Sequence, residues 1–181
     1  MEYIGTQISI KRTENELSIV MLAFVNKLKN RILLLWLILW TVSALIILSQ
    51  YFTIPDQNTK TAVIVWIGFW AYFEYKIFNA FLWRKSGREI IKIRDKKLFY
   101  SRLSGTGIGK IKTYETDFIK DLRVIESKEN SFSENLNNSY WVIAGEKLAF
   151  DYYGNEIKFG IQLTESDAKA LMKVIKNEIK R

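Results

Sequence analysis

The chain has 181 residues and a formal net charge of +8, from 27 lysines and arginines against 19 aspartates and glutamates, with 49% hydrophobic residues. It contains neither cysteine nor histidine, which excludes disulfides, Cys- or His-ligated metals, thiol nucleophiles and Ser-His-Asp chemistry, and removes the commonest general base. The apolar residues crowd the first half and the charges concentrate after Arg84, as in a membrane hairpin followed by one small soluble domain.

Residues 7–11 (QISIK) alternate apolar and polar and predict a short strand. Thr13 and Glu16 match the spacing of a capping box, and Leu17, Val20, Met21, Phe24 and Leu28 follow at helical intervals. Residues 14–30 therefore read as a helix with a basic end at Lys27, Lys29 and Arg31. Three settings are open to it: flat in the membrane interface, continuous with the next span, or packed on the soluble domain.

Residues 32–52 (ILLLWLILWTVSALIILSQYF) carry no charge over a length that matches the roughly 30 Å hydrocarbon core. The run is longer than a signal-peptide core and no small-x-small site follows it, so the helix is expected to remain in the mature chain. Residues 53–60 (TIPDQNTK) hold the single proline, Pro55, and form a turn. Residues 61–83 return antiparallel as a second span, interrupted by Glu74 and Lys76. Trp36, Trp40, Trp66 and Trp70 sit deep in the two runs, whereas Trp83, beside Arg84, stands where an interfacial anchor is expected.

Lys27, Lys29 and Arg31 precede the first span, Arg84, Lys85 and Arg88 follow the second, and the turn offers only Lys60. The positive-inside rule then puts both termini in the cytoplasm, and these six residues become candidate contacts to anionic headgroups. Glu74 lies about 20 Å along the second helix and points away from Lys76, two residues on. The pair is a candidate intramembrane polar site: either an ionisable site in a small oligomeric transport or conductance subunit, or a packed Glu with a snorkelling Lys.

From Arg88 onward the pattern is strands and polar turns. Residues 89–94 (EIIKIR) and 97–103 (KLFYSRL) flank Asp95-Lys96, a two-residue hairpin turn without glycine. Further strands are expected at 110–116, 121–126, 140–144, 147–152 and 156–161, with loops at 104–109 and 127–139. The glycines of 105–109 precede Lys110, but Ile111 stands where a phosphate loop needs Ser or Thr, and a strand follows instead of a helix. Lys92, Arg94, Lys96, Lys97, Arg102, Lys110 and Lys112 form a basic cluster suited to membrane apposition or to a solvated strand face. The scattered carboxylates Asp117, Asp121, Glu126, Glu129 and Glu134 make no acid/base dyad. Residues 164–181 predict an amphipathic helix, with Thr164 as N-cap and an apolar stripe of Ala168, Leu171, Met172, Ile175 and Ile179.

About seven short strands closed by one amphipathic helix is the outline of a pleckstrin-homology-like (PH-like) domain. Residues 145–160 (GEKLAFDYYGNEIKFG), residues 163–179 and the entry 87–94 (GREIIKIR) resemble small bacterial membrane proteins in which a two-helix hairpin precedes a cytoplasmic PH-like domain. The likeness is strongest at Phe150-Asp151-Tyr152 and Lys158-Phe159-Gly160. It implies an architecture and assigns no functional residue. The sequence expectation is thus an α+β membrane protein with three parts. These are an N-terminal strand and basic helix (1–31), a transmembrane hairpin (32–83) and a PH-like cytoplasmic domain (84–181). It is expected to be a multi-pass protein of the cytoplasmic (inner) membrane that serves as a scaffold or interaction module. Expected partners are membrane lipids with anionic headgroups and a protein partner or homo-oligomer, with no nucleic acid, no cofactor and no enzymatic activity.

Overall fold

The computed structural model describes residues 1–23, 27–104, 109–125 and 145–180. It is an α+β fold with two antiparallel sheets. Strands β1 (Glu2–Ile4), β2 (Ile8–Arg12), β3 (Leu17–Leu22), β4 (Arg88–Arg94), β5 (Lys97–Leu103) and β6 (Lys112–Glu115) form a six-stranded sheet in chain order. Strands β7 (Ile119–Val124), β8 (Glu146–Tyr152) and β9 (Asn155–Ile161) form a three-stranded sheet. Between β3 and β4 runs a helical hairpin, α1 (Lys27–Gln50) and α2 (Gln57–Ser86), and the chain closes with α3 (Glu165–Ile179).

The N-terminal segment departs from expectation. Residues 17–22 form a strand where a helix over 14–30 was expected. Leu17, Ile19 and Met21 are buried while Leu22 is exposed, a period of two that serves a sheet with one covered face. The Thr13–Glu16 signal is a turn rather than a cap: both the backbone N–H and the hydroxyl of Thr13 donate to the Glu16 carbonyl, at 2.9 and 3.1 Å. β3 then pairs with β4 from Leu17↔Ile93 to Leu22↔Arg88, and Ala23 N–H donates to the Gly87 carbonyl at 3.0 Å.

The hairpin is therefore an insertion between two hydrogen-bonded neighbours, and the strand domain does not begin at residue 84. Ile8, Ile10, Leu17, Ile19 and Met21 pack in one core with Ile91, Leu98, Leu148, Phe159, Leu171 and Ile175. Burying those five N-terminal side chains contributes on the order of 10 kcal/mol, comparable to the whole stability of a domain. Residues 1–23 are part of the fold.

Other local expectations meet the structure directly. Asp95 and Lys96 both take positive φ (50° and 55°), the mirror-image turn that links Arg94 to Lys97 in register. Thr164 Oγ accepts from the Asp167 N–H at 3.1 Å, and Ala168, Leu171 and Ile175 are fully buried beneath α3. The strands expected at 110–116 and 121–126 shift to Lys112–Glu115 and Ile119–Val124, with a 3-10 turn, Thr116–Phe118, between them. The strand expected at 140–144, the loop at 127–139 and most of the loop at 104–109 lie outside the described residues.

By rise per residue α1 is about 36 Å long and α2 about 45 Å. They pack through Leu33, Leu37 and Ile77, with Trp36 and Phe81 alongside. Asp56 caps α2, its carboxylate accepting from the Thr59 N–H at 2.7 Å. Among the described residues one helical stretch, Asn30–Thr53, is long and apolar enough to cross a membrane, with a mean hydropathy of 2.6. Only 17% of that stretch's most apolar window is buried, unlike the core helix of a sandwich.

Candidate functional site at the base of the hairpin

The period of β4 places Glu89, Ile91 and Ile93 on its inward face, so a carboxylate enters the core three residues after α2 ends. Arg102 stands directly opposite on β5. Glu89 Oε1 accepts from the Tyr100 hydroxyl and from Arg102 Nε and Nη2, the last two at 3.2 and 3.1 Å. Glu89 Oε2 accepts from the backbone N–H groups of Gly160 and Ile161 at 2.8 and 2.9 Å. Gly160 has φ +74°, a conformation that favours glycine at this bend in β9. One side chain, 2% exposed, thus joins the two sheets.

The cluster continues to the hairpin. Arg102 Nη2 also reaches Glu146 Oε1 at 3.3 Å, and its guanidinium lies 5.8 Å from the centre of the Trp83 ring. Trp83 is buried against Ala23 and Ile161. It does not face the membrane interface as expected, because β9 and the end of β3 cover it. Gly87 lets β4 start against that ring, since a Cβ there would stand 2.4 Å from the Trp83 carbonyl and 2.5 Å from its indole.

Burial, reinforced by the Glu89 charge, raises the Tyr100 phenol well above its ordinary value. Burial alone would lower the Arg102 guanidinium, but the facing Tyr100 and Glu89 more than restore it. A carboxylate holding five donors has its acceptor sites occupied, so it clamps the cluster together. Sequence reading missed it. The signal was present: Glu89 shares the parity of Ile91 and Ile93 and is the one charge on the apolar face of β4.

The candidate membrane-surface residues gather at this same base. Lys27, Arg31, Lys85 and Arg88 are exposed there, and the Lys29 side chain lies outside the described residues. Arg84 is a correction: it falls in the last turn of α2 and is only 8% exposed, so it is packed inside and makes no surface contact.

Glu74 and Lys76 are not brought together. Glu74 faces α1, where the Thr41 hydroxyl lies 2.7 Å from Glu74 Oε1 and 2.8 Å from the Leu37 carbonyl. Glu74 Oε2 is buried without a hydrogen-bond partner among the described residues. Lys76 is on the outer face, its ammonium 5.6 Å from the Tyr72 ring centre.

The basic cluster of the first strands is dispersed. Lys92 and Arg94 pair with Glu16, Lys96 pairs with Asp117, and Arg102 turns inward. Lys110 and Lys112, with Arg102, Glu146 and Lys158, line a cleft of about 340 Å³ that opens onto the Glu89 cluster.

No family model, no curated protein and no solved structure matches this chain.

Proposed function

We propose that the chain is an integral membrane protein whose hairpin anchors a PH-like sandwich at the inner face of the cytoplasmic membrane, where the sandwich serves as a scaffold or interaction module. The observation that carries this reading is the insertion of the hairpin between paired strands. If α1 crosses the bilayer, α2 has to bring the chain back, because β4 pairs with β3. The outer surface of α1 supports the crossing: Ile32, Leu35, Leu39, Val42 and Ile46 are all exposed and aliphatic. Lys27, Lys29, Arg31, Lys85 and Arg88 at the base, against Lys60 beside Asp56 in the turn, favour a cytoplasmic sandwich. Two antiparallel sheets closed by α3 support the PH-like reading, although the described residues hold nine strands where about seven were expected.

The test is to excise residues 24–86 and join Ala23 to Gly87 through a two-residue turn. The full chain should resist carbonate extraction, and the excised chain should be a folded soluble protein. Release of the full chain by carbonate, or retention of the excised chain on membranes in high salt, refutes anchoring by the hairpin. An alternative, an oligomeric conductance or transport subunit, draws on the buried, unpartnered Glu74 Oε2. Glu74→Gln decides it: ion flux in proteoliposomes should depend on the carboxylate under that reading and should be absent under the anchor reading.

A further inference from the structure

Toward the base of the hairpin the inner faces of β5 and β6 change from apolar to cationic. Along β5, Leu98 and Tyr100 are buried, and Arg102, next on the same face, turns in to Glu89. Along β6, Tyr114 is buried with its ring 5.2 Å from that of Phe150, and Lys112, two residues earlier, shares its face. Lys112 stands opposite Tyr100 in register, and Lys110 precedes it by two residues. The space in front of these cations is the cleft of about 340 Å³, closed on its far side by Glu156, Ile157 and Lys158 of β9. Inward positions that hold core side chains further along both strands hold cations here.

Charge matching singles out two of them. Arg102 is matched by Glu89 and Glu146, at 3.1 and 3.3 Å, and Lys158 by Glu156 at 2.9 Å. Among the described residues no carboxylate lies within ion-pair distance of Lys110 or Lys112. Two ammonium groups thus share one wall of a recess whose carboxylates already serve other cations. Like charges gathered in this way repel, and a bound anion reverses that cost.

We propose that this cleft binds a phosphate group, free or as a monoester, held by the ammonium groups of Lys110 and Lys112 with Lys158 at the rim. A phosphate carries about −1.5 to −2 charges at neutral pH, which matches two unpaired lysines, and a carboxylate supplies only half of that. Lysine binds phosphate as a point charge with three donors. The volume is at the low end for ligand pockets, enough for the phosphate and a small part of what carries it. The Arg102 guanidinium lies 5.8 Å from the centre of the Trp83 ring near the end of α2, which sets the cleft beside the base of the hairpin. A lipid headgroup is one source of the phosphate there, and the aqueous phase is the other. The site goes beyond the anchor reading and is built from sandwich residues alone.

The test is a calorimetric titration of the full chain in a non-ionic detergent, in a phosphate-free buffer of about 0.1 M ionic strength, where charges more than roughly 10 Å away are screened. The titrants are inorganic phosphate, dihexanoyl phosphatidic acid, which carries a phosphate monoester, and dihexanoyl phosphatidylcholine, which has the same chains without net charge. At least one of the first two should bind at a single site per chain, and the third should not bind. Equal affinity for the first two marks a soluble phosphate as the ligand, and tighter binding of phosphatidic acid marks a headgroup. Lys110→Gln combined with Lys112→Gln should weaken binding roughly tenfold, the effect of losing two exposed ion pairs. Both lysines are exposed, so the double variant keeps its fold, which far-UV circular dichroism verifies. Lys92→Gln combined with Lys96→Gln removes the same charge elsewhere on the sandwich and should leave the affinity within about twofold. Binding of neither phosphate, equal binding of phosphatidylcholine, an unchanged affinity in the Lys110 and Lys112 variant, or an equal loss in the Lys92 and Lys96 variant overturns the site.

Discussion

Replacing Glu89 by Gln keeps the shape of the side chain and removes its charge, which isolates the clamp at the hairpin base. Glu89 accepts from Tyr100, from two nitrogens of Arg102 and from the N–H groups of Gly160 and Ile161. An amide has one accepting oxygen. If that oxygen serves the two backbone donors, its NH2 group confronts Arg102, donor against donor; the reverse orientation strands two buried N–H groups. Hydrogen bonds to a charged group contribute about 1.5–3 kcal/mol each, and breaking a buried ion pair from one side costs roughly 3–5 kcal/mol. Glu146 retains part of the Arg102 charge, since it contacts the same Nη2 at 3.3 Å. The expected loss is therefore about 3 kcal/mol, a large share of the 5–15 kcal/mol that holds a domain. For a domain of this size that lowers the melting temperature by roughly 10 °C. Near-UV circular dichroism of the detergent-solubilised chain during heating or urea titration reads the change. Glu89→Gln combined with Arg102→Gln should cost much less than the sum of the two single changes, because both break one cluster. A Glu89→Gln chain that melts within about 0.5 kcal/mol of the parent, the scatter of ordinary surface changes, would refute the clamp.

Three further outcomes follow from named contacts. The Tyr100 phenol titrates higher in the folded chain than its ordinary 10.0, so its contribution is complete below that value and is lost as pH rises above it, when the unfolded chain ionises. Urea midpoints measured from pH 8 to 11 should fall at the alkaline end, and Tyr100→Phe should flatten that fall while lowering the plateau. Gly87→Ala drives a methyl group into the Trp83 carbonyl at 2.4 Å, and the resulting overpacking should cost about 1–3 kcal/mol in the same melt. Thr41→Val removes the hydroxyl 2.7 Å from Glu74 and should weaken the α1–α2 contact by about 1 kcal/mol, seen as faster proteolysis of the turn at residues 53–56. Thr41→Val with Glu74→Leu should restore the parental rate.

The elements that were legible in the sequence are those whose cause is local. Asp95-Lys96 between two alternating runs produced the expected hairpin, and Thr164 followed by the Ala168–Leu171–Ile175 stripe produced α3. Residues 17–22 were misread because two periods coexist there: Leu17, Val20 and Met21 suit a helix, while Leu17, Ile19 and Met21 suit a strand. What decides is pairing with Ile91 and Ile93, more than seventy residues away, a long-range contact that no local pattern displays. Trp83 was misplaced for a related reason. Beside Arg84 it resembles an interfacial anchor, and only the return of β9 shows that Ile161 covers it. Glu89 could have been found, since a lone carboxylate with the parity of Ile91 and Ile93 has to be buried and paired if those isoleucines are inside.

The insertion has a mechanical consequence. An anchor joined by a linker leaves its domain free to swing, but here Gly87 alone separates α2 from β4, and Ala23 is hydrogen-bonded to Gly87. Tilting the hairpin against the sandwich must displace Trp83 from Ala23 and Ile161 and from the Arg102 guanidinium 5.8 Å from its ring centre.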